Sequence, residues 1–285
     1  MKISIFTTYT NPEKRNDPWK EALKCYNDIT NDIIVTGSDW KDEFSWEEIG
    51  KQFQKGYDLS SGDWVLRMDI DYFIHERDIN NLYKFLDKYS EYPAVSMPQY
   101  QFFTNDRYQL KTRLCIALNK KKFPNIKLNG GGDLCLATYE NKLIHPQSVP
   151  NIRIPIYQYD SMFRTKKIIA DDRARFARAW YRYFKTYGDR GGGNPQKAYD
   201  AWFENVTEKY KKHTLKIEIE EHPKYIKDKL KNLNSNQFGF DAFGLKNVTK
   251  FSKIEYLKGV KSKNFDHNFL NFKRLISKKS DFSKT

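Results

Sequence analysis

Gly62-Asp63-Trp64-Val65-Leu66-Arg67-Met68-Asp69-Ile70-Asp71-Tyr72-Phe73-Ile74-His75 decides how this chain is read. The apolar run Trp64-Val65-Leu66 predicts a buried strand leading straight into two carboxylates one residue apart. A strand that ends in Asp-x-Asp carries negative charge to the carboxyl edge of a sheet, where open α/β sheets bind ligands. Strand periodicity puts residues i and i+2 on one face, so Asp69 and Asp71 are expected to approach one ion. Two hard oxygen ligands suit Mg²⁺ or Mn²⁺, and such an ion can hold a diphosphate. The plainer alternative is a helix cap beside a surface acid. Arg67, two residues upstream, either neutralises phosphate or pairs with Asp69.

Outward from this stretch, strands and helices alternate. Lys2–Tyr9, Asp32–Thr36, Trp64–Met68 and Ala94–Phe103 read as strands. Helices are expected from Pro18, with Asp17 as N-cap, and over Phe44–Tyr57 and Asp78–Tyr89. That order predicts an α/β fold: three α/β/α layers around a mostly parallel, Rossmann-like sheet, with a C-terminal helical extension. Further on, Leu114–Leu118 and Leu134–Thr138 read as strands flanking Gly130-Gly131-Gly132. Ala170–Tyr187 reads as a helix that buries Phe176, Trp180, Tyr183 and Tyr187 and turns Arg175, Arg178 and Arg182 to solvent. Pro195–Lys212 and Pro223–Leu233 complete the helices. The expected organisation is a core over residues 1–160, a helical acceptor-side extension over 161–245 and a basic tail over 246–285.

The 285 residues include 20 Phe, 19 Tyr and 6 Trp, enough for a large core in one domain with an appendage. The formal net charge of +14 is uneven: eleven Lys/Arg against three acids follow residue 245, a net of +8 in the tail. Such a tail suits an anionic surface, so a peripheral membrane contact is one expectation and a solvated end the other. Three cysteines without metal-type spacing read as core thiols of a reducing compartment. No signal-type N-terminus and no spanning apolar run are seen, so a cytoplasmic location, soluble or membrane-peripheral, is expected.

Other residues are candidates for chemistry. Thr7, Thr8 and Tyr9 end the first strand, and Ser38 and Asp39 follow the second; hydroxyls, an aromatic face and a carboxylate there suit a nucleoside, or plain turn chemistry. The absence of Gly-x-Gly-x-x-Gly and of a P-loop argues against a dinucleotide oxidoreductase and a P-loop enzyme. Asp133, after the glycine run, suits a general base for an acceptor hydroxyl, or simply closes the turn. His75, His145 and His222 are each a third metal ligand or a local cap.

The alternation ending in Val65-Leu66-Arg67-Met68-Asp69-Ile70-Asp71 resembles the nucleotide-sugar half of GT-A glycosyltransferases, particularly family-2-like enzymes. Pro155-Ile156-Tyr157-Gln158-Tyr159, Phe163-Arg164-Thr165-Lys166-Lys167 and His222-Pro223 follow the later layout of that family. The likeness spans about residues 1–235. It implies that Asp69 and Asp71 hold a divalent metal bridging the donor diphosphate, and that Thr7, Tyr9 and Asp39 meet the nucleoside. It places Asp133 near the acceptor, and His222 and Gln158 at metal-ligand positions. Gln158 departs from the family, which has histidine there. The implied activity is transfer of a hexose from a nucleoside-diphosphate sugar to a glycan or other hydroxyl acceptor, with inversion. A nucleotidyltransferase and a non-catalytic basic nucleic-acid-binding protein are the alternatives, and no specific nucleic acid partner is expected.

Overall fold

A computed structural model of the chain describes residues 1–38, 43, 45–130, 135–248 and 251–276. β1 (Ile3–Thr8), α1 (Trp19–Asn27), β2 (Ile33–Thr36), α2 (Trp46–Leu59) and β3 (Trp64–Arg67) alternate as expected. β4 (Tyr72–Phe73), α3 (Ile79–Lys88), β5 (Ala94–Phe102) and β6 (Arg107–Asn119) follow. A small hairpin, β7 (Thr138–Tyr139) and β8 (Lys142–Leu143), precedes β9 (Ile156–Gln158), α4 (Lys166–Phe184) and α5 (Pro195–Tyr210). The chain then forms β10 (Leu215–Lys216), α6 (Lys227–Lys231), α7 (Phe238–Asp241) and α8 (Lys253–Ile276).

The fold is mixed α/β around an eight-stranded sheet ordered β2-β1-β3-β6-β5-β9-β4, with β10 beside β6. The pairings make β1, β2, β3, β5, β9 and β10 run one way, and β6 and β4 the other. Alternation along the strands builds two buried faces. Ile3, Ile5, Trp64 and Leu66 pack with Ala22, Cys25 and Tyr26 of α1 and Leu82 and Leu86 of α3. Phe6 and Val65 turn the other way onto Ile49, Phe53 and Tyr57 of α2.

Several expectations need correction. β6 starts at Arg107 rather than Leu114, because polar Gln109, Lys111 and Thr112 interrupt the apolar signal. The predicted strand from Leu134 is reduced to Thr138–Tyr139: Cys135 has φ 42°, which no strand accommodates. The last helix of the core begins as a short 3₁₀ turn at Lys224, before α6. Asp17 does not cap α1; Pro18 is the N-cap and makes no side-chain bond. Most consequential is α4. Its buried residues include Ile169, Ala170, Asp172, Ala174, Ala177 and Ala179, not the expected aromatic stripe. Ala174 and Ala177 meet Ala198 of α5, so small side chains let the two helices pack, and Tyr183 is left 61% exposed.

Candidate active site

β1 lies between β2 and β3, so the chain first moves to one side of it and then to the other. Divergence of this kind opens a crevice at the carboxyl ends of β1 and β3. The Met68 N–H donates to the Phe6 carbonyl at 3.0 Å, and the Tyr9 N–H to the Thr36 carbonyl at 3.0 Å, extending both ladders to the edge. Gly37 permits this closeness: its φ is +93°, and a Cβ there would lie 2.9 Å from Thr8 Cγ2. Tyr9 sits at the edge with its ring centroid 6.0 Å from that of Trp19. Burial, with the Glu13 charge, raises the Tyr9 phenol. Thr7 is also at this end, but its Oγ1 is sealed from solvent with no hydrogen-bond partner among the described residues. Asp39 lies outside the described residues.

Asp69 and Asp71 stand on a turn just past β3, not on the strand itself. The Tyr72 N–H donates to the Asp69 carbonyl at 2.8 Å, and the Tyr26 hydroxyl pins the same carbonyl at 2.6 Å. The turn hands the chain across to the far edge of the sheet, where β4 pairs with β9 and the Tyr159 N–H donates to the Asp71 carbonyl at 3.0 Å. Arg67 Nη2 lies 3.8 Å from Asp69 Oδ2, and its guanidinium stacks over Phe53. Burial, reinforced by the Asp69 and Asp160 charges, pushes the Asp71 carboxyl up to about 7 against the pull of Arg164. Asp160 behaves oppositely. Burial works against its charge, yet Arg173, Lys111 and Arg164 outweigh that and hold its carboxyl low. Ionising the buried Asp71 beside Asp69 and Asp160 is therefore unfavourable unless a cation joins it, and a hard divalent cation fits the paired carboxylates. Among the described residues, no group of three or more His, Cys, Asp or Glu side chains is arranged to hold a metal. At this turn the described residues offer the carboxylates of Asp69 and Asp71.

Gln158 lies beside Asp71 but presents the wrong atom for a ligand. Its Nε2 faces Asp71 Oδ2 at 3.5 Å, while its Oε1 accepts from Gln99 at 2.8 Å and from Lys111 at 3.4 Å. An ammonium only donates, so Lys111 fixes which end of the amide is oxygen. His222 is not brought to the acids. Tyr157 and Tyr159 project from the face of β9 opposite Gln158, and His222 belongs with Tyr159. Its Nε2–H donates to the Asn105 carbonyl at 3.0 Å and its Nδ1 accepts from the Tyr159 hydroxyl at 2.7 Å. Both ring nitrogens are occupied, so the implied metal role has no atom to carry it; burial pushes the ring down to about 4. His75 and His145 are caps: each Nδ1 accepts a backbone N–H two residues on, at 3.3 and 3.2 Å. Asp133 lies outside the described residues.

Four residues not singled out as site candidates, Gln99, Gln101, Gln109 and Lys111, join Gln158 in the surroundings. Gln99 and Gln101 on β5, Gln109 and Lys111 on β6 and Gln158 on β9 form a polar row, with Gln99 and Gln101 each 2% exposed. Gln101 donates to Asp160 at 3.1 Å and accepts from Gln109 at 3.0 Å. Polar residues alternating along two adjacent apolar strands were the available signal. Arg67 also walls a cavity of about 270 Å³ that Leu128 and Cys135 help to line. None of Cys25, Cys115 and Cys135 is in a disulfide.

No protein-family model matches the sequence, and no curated protein matches it. Solved structures do. The crystal structure of S. aureus TarS 1-349 aligns over 73% of this chain and 79% of that one, at 11% identity and a TM-score of 0.38. The same fragment in complex with UDP-GlcNAc aligns over 73% and 80%, at 11% and 0.38. Its UDP complex aligns over 65% and 72%, at 12% and 0.36. Likeness at this level says nothing of this chain's chemistry.

Proposed function

We propose that this chain is a glycosyltransferase, moving a hexose from a nucleoside-diphosphate sugar to an acceptor hydroxyl. One observation carries the reading: the Asp69-x-Asp71 turn stands at the carboxyl edge of β3, beside the β1–β3 crevice, with the ionisation of Asp71 disfavoured by burial and by the neighbouring acids. The nucleoside meets Tyr9 and the segment after β2, where Asp39 follows. Asp69 and Asp71 hold Mn²⁺ or Mg²⁺, which when bound supplies Lewis-acid stabilisation of the leaving diphosphate. Arg67 offsets part of the same charge, within reach of Asp69. Asp133 takes the proton of the incoming hydroxyl, and a single displacement inverts the anomeric centre. The acceptor is a glycan or another hydroxyl compound.

The basic tail fits an anionic membrane surface. No helix among the described residues is long and apolar enough to span a bilayer. α8 leaves Ile254 65% and Leu257 55% exposed, with Lys258 and Lys261 alongside, a pattern that suits lying on lipid.

The test is a melting-temperature panel of the full chain with UDP-, GDP-, CMP- and dTDP-sugars, with and without Mn²⁺. A bound donor stabilises the fold by mass action. One donor class is expected to raise the melting temperature, more with Mn²⁺. A flat response across the panel overturns the reading.

A further inference from the structure

We infer that the cleft between α2 and the C-terminal end of α4 is a saccharide-binding subsite, the place of a glycan acceptor. The word acceptor rests on the glycosyltransferase reading; the binding site does not. The cleft has a volume of about 590 Å³ and is lined by Trp180, Tyr183 and Phe184 on one side and by Glu47, Gln54 and Asn129 on the other. That size is in the range of ordinary small-ligand sites, roughly 300–1,000 Å³.

The aromatic wall is not a by-product of core packing. α4 buries its alanines against α5, and Tyr183 and Phe184 stand 61% and 46% exposed. They form a continuous surface: the Trp180 and Phe184 centroids are 4.0 Å apart, and Tyr183 meets Phe184 edge-on at 4.6 Å. The platform is held in place, because Arg190 stacks on Trp180 at 3.6 Å and Arg178 and Arg182 tie α4 to Glu43. Exposed ring faces suit a ligand that is flat and apolar on one side.

The opposite wall selects among such ligands. Glu47 lies in the first turn of α2, and Asn129 accepts from the Thr138 hydroxyl at 2.5 Å, leaving its amide N–H groups to face elsewhere. A carboxylate and an amide suit hydroxyls and do not suit an acyl chain. A pyranose ring has both properties, a face of C–H groups and an edge of hydroxyls. Leu128 and Cys135 form a wall shared with the neighbouring cavity, on whose lining stands Arg67, 3.8 Å from Asp69.

The experiment titrates the full chain with chitohexaose, maltohexaose and mannohexaose, followed by tryptophan emission and saturation-transfer NMR. The donor panel is run on the same samples. Binding of at least one hexaose is expected. Tyr183→Ala combined with Phe184→Ala weakens it by at least about tenfold, Tyr183→Phe retains it, and the donor response is unchanged. No hexaose binding, or binding indifferent to the double variant, overturns the subsite while the transferase reading stands. A donor response lost in the double variant also overturns it, because the cleft then belongs to the nucleotide sugar. Hexaose binding that needs both rings, with no donor response at all, keeps the subsite and removes the transferase.

Discussion

Arg164 reaches Asp17 across 147 residues of sequence, donating to one carboxylate oxygen through both Nε at 2.8 Å and Nη2 at 2.7 Å. Its remaining arm, Nη1, donates to Asp172 of α4 at 2.9 Å. Arg15 joins the same pair of acids, and Arg175 donates to Asp172. Asp17 and Asp172 are 4% and 3% exposed, so this is a buried network that fastens the entrance of α1 to α4. Burial opposes the Asp172 charge, but Arg15, Arg164 and Arg175 hold its carboxyl well below the usual range. The Arg164 charge also reaches Asp71, where it opposes protonation.

Removing Arg164 takes the forked partner from two buried carboxylates and leaves them only Arg15 and, for Asp172, Arg175. Arg164→Met is expected to cost about 3–5 kcal/mol of stability, read from urea unfolding at pH 7. Arg164→Lys recovers only part of it, because an ammonium cannot reproduce the fork on two acids. A loss under about 0.5 kcal/mol for the methionine variant contradicts the structure.

Asp71 carries a pH signature. Its folded carboxyl titrates at about 7 against an ordinary 3.8, so the folded state binds its proton more tightly than the unfolded chain. Stability from this group therefore falls as pH rises from about 4 to about 7, and the penalty is complete above that. Asp71→Asn is expected to stabilise the protein at pH 8 by about 1–3 kcal/mol and to have little effect at pH 4. Mn²⁺ should stabilise the parent at pH 8 and not the variant. Melting curves across pH check both, and a parent and variant that melt in parallel at every pH refute the assignment.

His222 carries the opposite sign. Its ring is pushed down to about 4 from 6.5, because burial disfavours the charged form. The unfolded chain protonates it first, so stability is lost as pH falls from about 6.5 toward 4. His222→Phe is expected to flatten part of that acid limb. At neutral pH it costs about 1–3 kcal/mol, since the Tyr159 hydroxyl and Asn105 carbonyl lose their partner. Mn²⁺ affinity should not change. A variant with weakened Mn²⁺ binding restores the ligand role that the geometry denies.

The first hundred residues were legible because each element carries its own signal: an apolar run for β3, Gly37 closing β2, and helical spacing for α2 and α3. Asp69 and Asp71 were legible for the same reason, by position after a strand. What failed was decided by long-range pairing. Asp17 reads as a cap until Arg164 claims it. His222 and Gln158 are both polar residues near Pro155 and Pro223 in sequence, yet they lie on opposite faces of β9. The expected aromatic stripe obeys helical periodicity, but the adjacent alanines fit α5 more closely, leaving Phe176, Trp180 and Tyr187 half-buried and Tyr183 exposed. Lys111 and the glutamine row were hidden because polar residues two apart read as the solvent face of a strand, whereas here that face is largely buried.

The most direct measurement is binding of the donor that stabilises the parent most, by calorimetry with Mn²⁺, to the parent and to the Asp69→Asn, Asp71→Asn double variant. The parent is predicted to bind only weakly without Mn²⁺, and the double variant at least about tenfold more weakly than the parent with it, the equivalent of about 1.4 kcal/mol. Equal binding by the two proteins, or parental binding indifferent to Mn²⁺, would contradict a metal-held diphosphate at the end of β3.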